Sequence, residues 1–149
     1  LRLLVYTGST YKKYAASLIQ QQLGSQGIEV QILETDDFDA YRQQITDGQF
    51  DLYIGEIKLY NNMDLSPFFS GGAASAHLAQ SETLSAAYGA FRANKSAAGD
   101  FEAVFAAEMP YIPLLWRSNT VVAARGISGL TSSLSDVFYS LDGLRFGNS

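Results

Sequence analysis

Leu1, Leu3, Leu4 and Val5 leave no polar face between Leu1 and Tyr6, as expected of a central strand covered on both sides. Thr7-Gly8-Ser9-Thr10 then turns the chain, with Ser9 or Thr10 as candidate N-cap. From Tyr11 to Leu23 the apolar positions Tyr14, Ala15, Leu18, Ile19 and Leu23 recur at helical spacing. Gly24 stands where a left-handed C-cap would close that helix. After Gly27 the pattern alternates, with Ile28, Val30 and Ile32 on one face of a second strand and Glu29, Gln31 and Leu33 on the other. Thr35 or Asp36 would cap the next helix, in which Asp39 suits the positive end of the dipole and Phe38, Tyr41 and Ile45 form the inner stripe. Asp47-Gly48 ends it. In Phe50, Leu52 and Ile54 the alternation returns against Asp51, Tyr53 and Gly55, which predicts a third strand ending near Ile57.

Strand-helix-strand-helix-strand with short right-handed crossovers predicts three strands in one parallel sheet. If the first strand lies between the other two, the chain reverses at its carboxyl end, and ligands gather at such switch points. The segments Thr7 to Thr10 and Glu56 to Asp64 would meet there. Beyond Gly72 the composition shifts to Ala and Ser, and Leu84, Ala87, Tyr88 and Phe91 describe a helix behind an N-cap at Ser81. Asn94 to Gly99 reads as a turn, and Asp100 as the cap of a helix from Phe101 to Met109 that Pro110 stops, with Phe101, Val104, Phe105 and Glu108 on one face. Residues rich in β-branched and aromatic types then predict strands near Ile112 to Trp116 and Thr120 to Ala124. No element is assigned from Gly126 to Ser149. The expected fold is therefore α/β, a mainly parallel sheet with helices on both faces.

Composition narrows the function. The 149 residues, 47% hydrophobic, fit one globular domain over 1–149 with a core of its own. Ten Lys plus Arg against fifteen Asp plus Glu argue against nucleic acid, which demands clustered cations, and favour a cationic or zwitterionic partner. Zero Cys and a single His exclude disulfides, thiolate sites and most transition-metal clusters, so neither metal nor cofactor is expected. No apolar run reaches the roughly 20 residues that a bilayer helix needs. The chain opens directly on a strand with no leader, and is expected to be a monomeric piece of a longer protein.

The residues from Phe50 to Gly72 carry the candidate chemistry. Glu56, Tyr60, Asn61, Asn62 and Asp64 offer donors, acceptors and fixed negative charge in one loop, which Pro67 and Gly71-Gly72 close. That mixture suits a polar small molecule; a solvated strand-to-helix loop, with Asp64 as a turn cap, accounts for it equally. Trp116 and Arg117 could hold a ligand carboxylate beside an aromatic wall, or be a packed Trp and a solvated Arg. Gly8-Ser9-Thr10 lacks the spaced glycines and the Gly-Lys-Ser/Thr of a phosphate cradle. Asp51 stands at the start of its strand, whereas a receiver-type acceptor must stand at the end. His77 has no nucleophile elbow or second His, and reads as a surface or capping residue.

Three blocks in order, LRLLVYTGSTYKKYAASLIQQQLGSQGIEVQI, FDLYIGEIKLYNNMDLSPFFSGG and FEAVFAAEMPYIPLLW followed by a strand and ISGL, resemble the second lobe of the family 5 extracellular solute-binding proteins. These are the peptide- and nickel-type receptors of ABC importers. The resemblance implies a periplasmic-binding-protein-like lobe that closes with a first lobe on an oligopeptide or other solute and delivers it to an ABC permease. It also implies an extracellular or periplasmic, membrane-anchored full-length protein that is not an enzyme. In that family an Asp followed by a proline helps hold a peptide amino terminus, and Asp64 with Pro67 is the nearest match; Gly55-Glu56-Ile57 stands where a Gly-Trp is common. Tyr60, Tyr111 and Trp116 would supply aromatic walls, and Asp64 or Glu56 a carboxylate. The alternative is a small flavodoxin-like enzyme or regulatory domain, which a tightly bound flavin or nucleotide would mark.

Overall fold

Leu3, Leu4 and Val5 are the most completely buried large side chains of the chain's described part, and the first fold element is built round them. The computed structural model describes residues 1–59, 64–69, 74–77, 81–116, 122–131, 133 and 140–147. They fall into two compact units, Leu1–Ile57 and Lys58–Ser149.

In the first unit β1 (Arg2–Tyr6) is flanked by β2 (Gln31–Thr35) and β3 (Leu52–Tyr53), all parallel, in the order β2-β1-β3. The central position expected for the first strand is therefore observed. Alternation along β1 sends Leu3 and Val5 to one face and Leu4 and Tyr6 to the other. Leu3 and Val5 cluster with Ala16, Val30 and Ile54, against which Ala15, Ile19 and Leu23 of α1 (Thr10–Ser25) pack. On the opposite face the Tyr6 ring meets Phe38 and Tyr41 of α2 (Phe38–Asp47) at 5.3 and 6.0 Å. One helix on each face explains why β1 tolerates no polar residue between Leu3 and Val5.

Several boundaries differ from the sequence reading. In α1 the buried face centres on Ala16, while Tyr14 is 67% exposed and Leu18 also faces water. The stripe turns because a small residue lets the helix lie close on the sheet, and a tyrosine can leave its hydroxyl in solvent. The left-handed residue after α1 is Gly27 (φ 79°), not Gly24; Gly27 and Ile28 donate to Gly24 and Leu23 carbonyls, closing the helix one turn later. β2 accordingly starts at Gln31, three residues beyond Ile28, with Gln31 N–H on the Leu1 carbonyl at 2.8 Å. The cap of α2 is Asp37, whose carboxylate accepts from Ala40 N–H at 2.8 Å, and Gly48 ends the helix in the left-handed region at φ 67°. Phe38 of the expected inner stripe is half exposed. β3 is only two residues long because pairing with β1 stops once Ile54 N–H has bonded Leu4.

In the second unit α3 (Glu82–Ala93) begins at the expected Ser81 cap, which accepts from Leu84 N–H at 3.0 Å. Leu84 and Tyr88 pack with Phe101 of α4 (Ala98–Glu108), and Phe91, Val104 and Phe105 surround them. The expected turn before α4 contains a 3-10 turn at Lys95–Ala97 capped by Asn94, so α4 starts at Ala98 and Asp100 lies in its first turn instead of capping it. Met109 closes α4 at a positive φ of 42°, ahead of Pro110.

Residues 112–116 and 122–124 are not strands, contrary to the sequence reading; residues 117–121 lie outside the described part. Pro110 and Pro113 remove two backbone donors from this stretch, which weakens its claim to a ladder. Nearer the end, β4 (Ile127–Ser128) and β5 (Arg145–Phe146) pair antiparallel, an element the sequence left unassigned. Buried Ser140 fixes the neighbouring chain by accepting from Thr131 N–H at 2.7 Å and donating to its carbonyl at 2.9 Å. No helix of the described residues is long and apolar enough to cross a membrane.

Candidate functional site

At the carboxyl edge of the parallel sheet, the turn after β1 is tied to the end of β2. Thr7 donates to the Thr35 carbonyl from both its N–H (2.8 Å) and its hydroxyl (3.1 Å). Gly8 lies so close to the Tyr6 ring that a Cβ there would displace it. Ser9 caps α1 by accepting from Lys12 N–H at 3.5 Å. In the first turn of α1, Lys12 Nζ reaches Glu56 Oε2 at 3.4 Å, so the segments after β1 and β3 do approach each other as the switch-point argument requires. The Lys12 side chain is 12% exposed and that of Glu56 45%. Asp51 belongs to the other end of the sheet, where its carboxylate accepts from Arg2 N–H at 2.6 Å and pairs with the Arg2 guanidinium. The backbone and then the side-chain bond from Arg2 hold the Asp51 carboxyl below its ordinary value.

In the second unit Asp64 is not the open loop carboxylate suggested by its neighbours. Its side chain is 23% exposed, and Oδ1 accepts from the Tyr88 hydroxyl at 2.6 Å and from Ser66 N–H at 3.0 Å, with Arg92 Nη1 at 3.4 Å. The Tyr88 hydroxyl in turn accepts from Leu65 N–H at 2.7 Å. Chiefly the Tyr88 bond, then the Ser66 bonds and more weakly Arg92, lower the Asp64 pKa from 3.8 to about 2. Burial, followed by the Asp64 bond, raises the Tyr88 pKa.

A depressed carboxyl pKa contributes stability that is whole above the unfolded value and lost as pH falls through the folded one. The second unit should therefore lose part of its stability between about pH 4 and pH 2. Asp64→Asn should remove that share of the acid dependence, as read from urea unfolding at stepped pH. An unchanged acid slope in the variant would contradict this placement of the proton.

The remaining candidates lie apart in character. Tyr111 stacks on Phe68 with centroids 4.2 Å apart and meets Phe105 edge-on at 4.9 Å; burial raises its pKa. Trp116 is 70% exposed, with Ile112, Leu114 and Leu115 also exposed before it, so the core placement weighed for the tryptophan is not found. Tyr60, Asn61, Asn62 and Arg117 lie outside the described residues. His77 is exposed and left-handed (φ 59°), and among the described residues no cluster of His, Asp and Glu could hold a metal. Sequence reasoning missed Lys12, Tyr88 and Arg92 as partners of the two candidate carboxylates. Tyr88 and Arg92 share a face of α3 at four-residue spacing, the one local signal that a polar anchor accompanies the apolar stripe.

Both candidate carboxylates thus carry an internal cation at 3.4 Å. Neither is a bare anion, so a ligand ammonium at either would share it with Lys12 or Arg92. Comparison of the chain with profiles of known families, with curated proteins and with solved structures finds no match.

Proposed function

We propose that the chain is a ligand-binding lobe of a family 5 extracellular solute-binding protein, the receptor of an ABC importer, with an oligopeptide as solute and no bond made or broken. The observation that carries the reading is the sheet order β2-β1-β3, with Lys12 and Glu56 meeting at 3.4 Å outside its carboxyl ends. Polar groups converging at a switch point suit reversible capture of a polar solute. The order of the three sequence blocks supports the same reading and gives it the form of a periplasmic-binding-protein-like lobe.

On this reading a peptide ammonium would share Glu56 with Lys12 at the edge of the sheet, and Asp64, Tyr60, Asn61, Asn62, Tyr111, Trp116 and Arg117 remain further candidate contacts. The protein works outside the cytoplasm or in the periplasm, anchored to the membrane, beside a permease and with a first lobe. The isolated chain is monomeric and offers one side of a two-sided cleft. Calorimetry against mixed short peptides should then give nothing tighter than about 1 mM. Micromolar affinity for this chain alone would contradict a cleft shared with another lobe.

A further inference from the structure

The ladder between β1 and β3 closes at Ile54, whose N–H donates to Leu4 at 3.1 Å and whose carbonyl accepts from the buried Tyr41 hydroxyl at 2.9 Å. Three residues later, at Ile57, the first unit ends. Between these points lies Glu56, and Lys12 Nζ is 3.4 Å from it. The two ends of this pair are unlike. Lys12 stands in the first turn of α1, its N–H on the Ser9 cap and its side chain only 12% exposed, whereas Glu56 is 45% exposed and follows a glycine. A lysine whose stem is already packed has given up its rotamer freedom on folding. Holding Glu56 therefore costs less further ordering than an exposed pair would, and the ammonium becomes a fixed point for a chain that has left the ladder.

We propose that Lys12 is a tether: through Glu56 it pins the segment by which the chain leaves the first unit, and so sets how often residues 55–58 open. This needs no ligand and does not depend on the function proposed above, although both draw on the same Lys12–Glu56 pair. Exposed Lys58 supplies the readout, because trypsin must draw several residues on each side of the Lys58–Leu59 bond into its own cleft, so freeing residues 55–58 raises the rate with the population of open conformers.

The test is brief native-state digestion with that bond quantified by mass spectrometry, using cleavage after Arg42, inside α2, as the control for unfolding of the same unit. Glu56→Gln and Lys12→Met should each speed cleavage after Lys58 about threefold, the scale of one partly screened ion pair, with the Arg42 bond unchanged. The double variant should be no faster than Glu56→Gln alone, since the pair that Lys12→Met would remove is already gone. Lys12→Arg, which keeps the charge, should behave as the parent. Unchanged rates in both singles, additive acceleration in the double, or equal acceleration after Arg42 would each overturn the tether. If Lys12→Met fails to fold, Glu56→Gln carries the test from the exposed side.

Discussion

Tyr88→Ala should destabilise the second unit by about 3–5 kcal/mol, the range for deleting a buried aromatic ring. The ring lies stacked on Phe69 at 4.4 Å and tilted against Phe101 and Phe91 at 5.7 and 6.5 Å, so its removal opens a hole shared by α3, α4 and the 65–69 segment. It would also leave Leu65 N–H without its acceptor and Asp64 without its shortest donor. Tyr88→Phe separates these effects, because it keeps the rings and deletes both bonds. Its loss should be smaller, and its acid dependence below pH 4 should flatten because Asp64 returns toward its ordinary value. Hydrogen exchange of the α3 and α4 amides reads both variants. A Tyr88→Ala variant within about 1 kcal/mol of the parent would contradict the packing described for this cluster.

Leu4→Ala should cost the first unit about 2–5 kcal/mol. Leu4 is 1% exposed and its backbone is paired on both sides, to Leu33 of β2 and Tyr53 of β3. A strand bound on both edges and covered on both faces cannot collapse easily into the space left by the side chain, which favours the upper part of that range. Exchange of the β1 amides gives the measurement. The same substitution at Leu52, which is partly exposed on the two-residue strand β3, should cost much less.

What the sequence made plain were features set by local chemistry or by a one-sided pattern. The all-apolar run at Leu3 to Val5 announced a central strand, and Gly48 and Ser81 stand where a left-handed C-cap and an N-cap need them. The rest was decided by partners distant in sequence. The length of β3 depends on how far β1 can pair with it. The outward turn of Tyr14 and Leu18 depends on how closely α1 approaches the sheet. Ile112 to Trp116 has strand-forming composition but two prolines nearby and no strand observed, so propensity alone misplaced it. Asp64 looked open because its loop neighbours are polar, while its donors, Tyr88 and Arg92, come from a helix that begins some 20 residues later. Its bond from Ser66 N–H, the turn cap weighed from its own segment, was legible there; its side-chain partners were not.

We propose that a polar solute is met at the carboxyl edge of the β2-β1-β3 sheet. It is tested most directly by amide chemical-shift mapping of the isotope-labelled chain with mixed short peptides at about 10 mM, above the affinity expected of a half-cleft. The account predicts fast-exchange shifts at the turn after β1, in the first turn of α1 around Lys12 and at Gly55, Glu56 and Ile57. No shift at that concentration, or shifts confined to β4 and β5, would contradict it.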